Sequence, residues 1–241
     1  MEQLQIYETT WEKRRIGRPY DGGYVICMLP DGYDGVISGG VSNDVSFEQE
    51  LLNYYPVPCF AYDGTVSSLP ILDSRITFIN KNLGMEESNV LTNLHSRIEP
   101  YSNLFMKMDI EGHEFRLLPT FSEAQMKKIK QLTVEIHTPG DIQLYPTYFK
   151  GLSDITHERM FNLFEQINQT HTLVHVHPNN GCLLHTVNDI TLPNVFECTF
   201  IRNDYVSEKR PSRQIIPTDL DMPNIPNKQV VFFTGQPFVK A

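Results

Sequence analysis

The stretch HTLVHVHPNNGCLLHTVNDITLPNVFECTFIR, residues 171–202, places two strand patterns on either side of a short polar gap. HTLVHVHP (171–178) and VFECTFIR (195–202) are rich in apolar, β-branched and aromatic residues. Between them lies PNNGCLLHTVNDITLPN (178–194), turn-rich and too polar to pack as a helix. Parallel neighbours need a long crossover, usually helical, so these two strands are expected to run antiparallel.

Upstream the rhythm is different. GYVICML (23–29), YDGVISGG (33–40), VPCFAYDG (57–64), ITFIN (76–80), LFMKMD (104–109) and QLTVEIH (131–137) are short apolar runs, mostly without clean alternation. Such runs suit strands covered on both faces. Helical patterns fall between them. Ser46-Phe47-Glu48-Gln49 and Ser122-Glu123-Ala124-Gln125 read as capping boxes, residues 154–168 carry an amphipathic repeat, and 86–96 reads as a weaker helix. Alternating strands and helices predict a mostly parallel α/β sheet, here closed by an antiparallel terminal hairpin.

The chain of 241 residues can bury a full core and is read as one domain, 1–241. An N-terminal extension covers about 1–30, and a proline-rich tail from about 205 to 241 packs on the domain. The net charge of −9 argues against nucleic acid or an anionic membrane as the main partner. Cys27, Cys59, Cys182 and Cys198 lack CxxC spacing and read as free thiols. With no apolar run long enough for a membrane span and no signal-peptide core, a soluble, cytoplasmic protein is expected. Its oligomeric state is open.

Ligands of open α/β sheets sit at the carboxyl ends of the strands. At the first such end, Gly39 and Gly40 precede a helix start, with Asn43, Asp44 and Glu48 nearby. There is neither GxGxxG nor a Walker lysine. Asp63, followed by Gly64, ends the next strand, placed to accept ribose hydroxyls, although an Asp-Gly turn is the plain alternative. Asp109 ends the fourth strand and Glu135 and His137 the fifth; with Glu111 and His113 they are expected to converge on one pocket. Two chemistries compete there: general base catalysis, with His137 oriented by Asp109 or Glu135, and a divalent cation (Mg²⁺ or Mn²⁺) held by Asp109, Glu135 and His137. His175 and His177 end the sixth strand before Asn179 and Asn180; His175 is expected inside the strand as an ordinary satisfied residue.

DGGYV (21–25), FMKMDIEGHEFRLL (105–118), LTVEIH (132–137), HPNN (177–180) and FECTFIR (196–202) together resemble the FkbM-type branch of S-adenosylmethionine-dependent methyltransferases, over residues from about 14 to 202. The resemblance implies a Rossmann-like class I methyltransferase fold, a seven-stranded sheet whose last strand is antiparallel. It implies S-adenosyl-L-methionine across Gly39 and Gly40 with its ribose at Asp63. The methionine end would lie near Asp21, Gly22, Gly23 and Tyr24 and the segment Asn43–Glu48. His113, His177, Asn179 and Asn180 would then face the acceptor, with Asp109, Glu111, Glu135 and His137 catalytic. Members commonly methylate oxygen, often on sugars, so a hydroxyl of a sugar, glycan or sugar-containing small molecule is the expected acceptor. The glycine motif departs from the wider pattern: Ile37-Ser38-Gly39-Gly40-Val41-Ser42-Asn43-Asp44 has no acid before its first glycine, and that role passes to Asp44 or Glu48. The alternatives are a methyltransferase for another small molecule or nucleic acid, a NAD-dependent sugar-modifying oxidoreductase, and a non-catalytic scaffold.

Overall fold

The structure is a computed structural model and describes residues 2–240. Lys13–Gly17 (β1) and Gly23–Cys27 (β2) form an antiparallel ribbon outside the main sheet. Then come Gly35–Gly39 (β3), Ser46–Tyr54 (α1), Cys59–Tyr62 (β4) and Ile76–Ile79 (β5). Asn82–Leu83 (β6) and Leu91–Thr92 (β7) pair briefly before His95–Ile98 (α2) and Leu104–Met108 (β8). Two single turns, Glu114–Leu117 (α3) and Glu123–Met126 (α4), lead to Ile129–His137 (β9), Pro139–Leu144 (α5) and His157–Thr170 (α6). The chain then runs through His171–Pro178 (β10), a small hairpin of Leu184–Val187 (β11) and Ile190–Pro193 (β12), and Val195–Arg202 (β13).

The seven-stranded sheet has the order β10-β13-β9-β8-β3-β4-β5. Its strands are parallel except β13, which runs antiparallel to both β10 and β9, so the terminal hairpin is present. The chain leaves β3 toward β4 and β5, then returns to the other side of β3 as β8. That reversal, between β3 and β8, is the switch point where such sheets open a crevice.

The two faces of the sheet are unlike. Met106, Met108, Leu132, Val134, Ile136, Phe196 and Phe200 belong to one large apolar core, which also takes in Met160 and Phe164 of α6 and Phe238 of the tail. The opposite face carries Ser38, Lys107, Thr133, Glu135, Glu197, Thr199, His175 and His177, all buried. This polar layer is satisfied locally: Thr199 Oγ1 donates to the Val25 carbonyl of the ribbon (2.6 Å), and Lys107 Nζ donates to the Gly40 carbonyl (3.3 Å). Lys107 also lies over the Tyr24 ring, 5.2 Å from its centroid.

Two expectations need correction. Residues 86–94 are not helical, and the helix begins only at His95. Ser88 Oγ accepts from the backbone N–H groups of Val90 and Leu91, Glu87 takes Thr92 and Asn93, and Leu94 stands at φ +62°. Local side-chain bonds to the backbone outcompete the helix there. Nor is Ser46 the helix cap: Val45 occupies that position, Asp44 Oδ1 accepts from Ser46 N (3.0 Å), and Glu48 turns inward to take the Ser38 hydroxyl. The second box, Ser122 with Gln125, forms in full but caps only one turn. All four cysteines are free. Among the described residues, no helix is long and apolar enough to cross a membrane.

Candidate active site

A cavity of about 500 Å³ opens at the β3/β8 switch point. Gly40 and Ser42 follow β3, Asp63 and Thr65 follow β4, Asn82 and Leu83 form β6, and Asp109, Ile110, Glu111 and His113 follow β8. Tyr148 and Phe149, beyond α5, complete its wall.

The glycine turn is required by the protein's own packing. Gly40 has φ +74°, and a Cβ there would lie 1.6 Å from the Asp109 carbonyl oxygen. A Cβ on Gly39 would meet Leu83 at 2.4 Å. Asp63 ties the loops together: Oδ2 accepts from Ser42 N (2.7 Å) and Oδ1 from Thr65 N (2.7 Å) and Oγ1 (2.6 Å). Oδ1 is filled by its two donors, while Oδ2, with one, keeps acceptor capacity for a ligand.

The acid run after β8 is bent by two successive left-handed residues, Glu111 (φ +57°) and Gly112 (φ +82°). A non-glycine residue held in that region at a cavity wall marks stored backbone strain. Glu114 closes the turn, its Oε1 accepting from Ile110 N at 2.7 Å, while Oε2 is buried without a partner. Burial pushes the Glu114 carboxyl up to about 7, against the opposing Ile110 N–H.

Asp109, Glu135 and His137 each bring one polar atom within 4.8 Å of the others. The Tyr24 hydroxyl of the ribbon donates to Asp109 Oδ2 (2.9 Å). Burial first, then the Asp109 charge, pushes the Glu135 carboxyl well above the usual range. His137 is oriented differently from expectation. Its Nδ1 meets Asp141 Oδ2 (2.9 Å) and its Nε2 meets Glu111 Oε2 (3.1 Å); neither Asp109 nor Glu135 orients it. Burial pulls the imidazole down, but these two carboxylates outweigh it and push it up to about 11. His137 is therefore an imidazolium at neutral pH, a donor and not a free base.

Of the expected catalytic residues, Asp109 and Glu111 line the cavity, while Glu135 and His137 reach it through them. Among the expected cofactor contacts, Gly40, Asp63 and Asp109 line it. Gly39 is covered by Leu83, and the Cβ position of Gly64 by Asn82. Glu48 is buried against Ser38, and Asp44 accepts from Ser46 N and pairs with Arg18 (3.2 Å). Asn43 is exposed. Asp21 and Gly22 lie in the ribbon turn and Gly23 opens β2, with Asp21 3.6 Å from Arg18; Tyr24, next in β2, reaches the acid cluster. His113 lines the cavity, and Asn179 Nδ2 approaches Glu135 Oε1 at 3.4 Å. His177 is buried against Glu197 (3.3 Å), and Asn180 holds the tail carbonyls of Ile225 and Lys228. His175 is likewise buried in β10, against Asp221 at 2.8 Å.

Sequence reasoning missed Tyr148, Tyr24 as a partner of Asp109, and Asp141. The last had a signal: Thr138-Pro139-Gly140-Asp141 is a helix start in which Thr138 caps and proline takes the first turn.

The distances at Asp109, Glu135 and His137 suit an ion, but both His137 nitrogens are engaged by carboxylates. A charged imidazole offers no lone pair to Mg²⁺ or Mn²⁺, which also prefer oxygen.

The chain matches no protein-family model, and no curated protein is similar to it at a significant level. Solved structures with a similar layout include the "putative hemolysin" of Streptococcus thermophilus, at 10% identity, TM-score 0.39, covering 83% of this chain and 64% of that one. The chain thus spans less than two thirds of that protein's length. A "putative rRNA-methylase" from Clostridium thermocellum follows, at 12% identity, TM-score 0.35 and coverages of 73% and 89%. The precorrin-6y C5,15-methyltransferase of Geobacter metallireducens GS-15 has 10% identity, TM-score 0.33 and coverages of 72% and 83%.

Proposed function

We propose that this chain is an S-adenosylmethionine-dependent O-methyltransferase of the FkbM type, acting on a hydroxyl of a sugar or sugar-containing molecule. The observation that carries the reading is the cavity itself. It sits at the switch point of a seven-stranded sheet whose last strand is reversed, and Asp63 and Asp109 both line it. Asp109, Glu111 and Asp141 gather there around the single imidazolium of His137, an environment that suits a cationic ligand.

S-adenosylmethionine, when bound, supplies an activated methyl group. Asp63 would take its ribose hydroxyls, and the Gly40–Ser42 backbone would border it. Asp109 is the base of this reading, because it lines the cavity and its carboxylate is fixed by Tyr24 and Glu135. Glu111, bonded to His137, positions the acceptor, and the exposed Tyr148 offers a ring face at the mouth for a sugar. The acidic wall favours a neutral, hydroxyl-rich acceptor over an anion. Holding the acceptor oxygen in line with the methyl is the main source of acceleration.

The test titrates the purified chain with S-adenosylmethionine and with NAD, then screens glycans with the labelled methyl donor and locates the methyl by mass spectrometry. Binding of NAD alone, or labelling of nucleic acid alone, overturns the reading.

A further inference from the structure

Outside the cavity, two histidines meet that the reading above does not use. His157 is the first residue of α6, and His185 lies on β11. Their Nε2 atoms are 3.0 Å apart, with the rings tilted by 39°. The other nitrogen of His185 is fixed: Nδ1 lies 2.8 Å from Asn194 Oδ1. Asn194 is buried, and its backbone bonds to Leu183 and Thr138 at 2.8 Å each. An amide oxygen only accepts, so the proton of His185 sits on Nδ1 and Nε2 presents a lone pair toward His157.

Two nitrogens about 3.0 Å apart can share one ion at about 2.0–2.1 Å from each, with an angle of about 95° at the metal. Imidazole nitrogens favour zinc, copper and nickel over magnesium or calcium. A buried acceptor on the far nitrogen is the usual support of a metal-binding histidine. We propose that His157 and His185 form a site for Zn²⁺, chelated through both Nε2 atoms, with water completing the coordination. The ion ties the β11–β12 hairpin to the first turn of α6. It also backs onto α5, because the His185 ring fills the space a Cβ would need at Gly140 (2.9 Å), one residue before Asp141.

The experiment is calorimetric titration of the EDTA-stripped full chain with Zn²⁺ at pH 7.5, repeated on His157→Ala, His185→Ala and Asp109→Asn. The expected result is one site in the micromolar range, weakened at least about tenfold in each histidine variant and kept in Asp109→Asn, with zinc raising Tm only where both histidines remain. Should His185→Ala fail to fold, His157→Ala, at the start of its helix, carries the same comparison. Unchanged zinc affinity in His157→Ala, or no zinc binding by the wild-type chain, overturns the proposal and leaves a plain histidine–histidine hydrogen bond.

Discussion

His137 Nδ1 lies 2.9 Å from Asp141 Oδ2, one turn of chain away across the β9–α5 junction. The contact joins the end of a central strand to the helix that follows it, and Glu111 clamps the other nitrogen. Together they hold an imidazolium whose folded-state pKa, about 11, exceeds the ordinary histidine value of 6.5.

A raised histidine contributes stability that is complete below about pH 6.5 and is lost as pH rises toward 11. In that window the folded chain binds more protons than the unfolded one. Wild-type stability should therefore fall with rising pH, by up to about 1.4 kcal/mol per unit from this group. Asp141→Asn should be destabilised at pH 6 and should show a shallower decline to pH 9. Urea denaturation of both proteins at the two pH values measures the difference; parallel pH slopes would remove the clamp from the account.

Asp63→Ala should weaken S-adenosylmethionine binding more than tenfold, on the order of 1.4 kcal/mol or above. The side chain also holds Ser42 N and Thr65 N, so Asp63→Asn, which keeps one acceptor oxygen, should lose less. Calorimetry on both variants decides it, and unchanged affinity in the alanine variant means that the ribose is held elsewhere.

Gly40→Ala tests the turn. A Cβ would fall 1.6 Å from the Asp109 carbonyl oxygen, at a positive φ that L-residues avoid. The strand ends must move apart, at a cost of roughly 2–4 kcal/mol. Chemical denaturation reads this directly; a loss under about 0.5 kcal/mol would show that the loop relaxes freely.

The strands were legible because their apolar runs are long and bounded by turns, and the hairpin because residues 178–194 leave no room for a crossover helix. The polar face was not. Lys107 interrupts LFMKM and Glu135 interrupts LTVEIH, yet each is buried under the ribbon with partners distant in sequence, so alternation read as continuity. Asp109 and Asp63 were legible as cavity-lining residues because ligand crevices in such sheets open at the strand ends, a rule of topology. Tyr148 was invisible for the opposite reason: it lies on an irregular loop that only the folded chain brings to the cavity. Ser46 and Gln49 matched a capping pattern, but Arg18 and Asp44 captured the Ser46 hydroxyl, and the Gln49 amide reaches Asp73.

EDTA should leave methyl transfer intact. The ion-like spacing of Asp109, Glu135 and His137 is defeated by the carboxylates on both ring nitrogens of His137. Turnover is measured after exhaustive EDTA dialysis, with and without Mg²⁺ or Mn²⁺. A loss with EDTA that either ion restores would show that His137 releases Glu111 to bind a metal.

Asp109→Asn should reduce kcat by about 10²–10⁴, the range that a positioned base supplies. His137 contributes otherwise: as a fixed cation it orients Glu111 and offsets the surrounding negative charge. His137→Gln keeps a donor and should lose less kcat than His137→Ala. Neither should abolish the acidic limb of the pH–rate profile, because His137 is not the base of this reading. With saturating methyl donor, near wild-type turnover in both His137 variants would remove His137 from the reaction. Disappearance of the acidic limb in His137→Gln would instead make the imidazole the base, and would require Glu111 and Asp141 to release it during turnover.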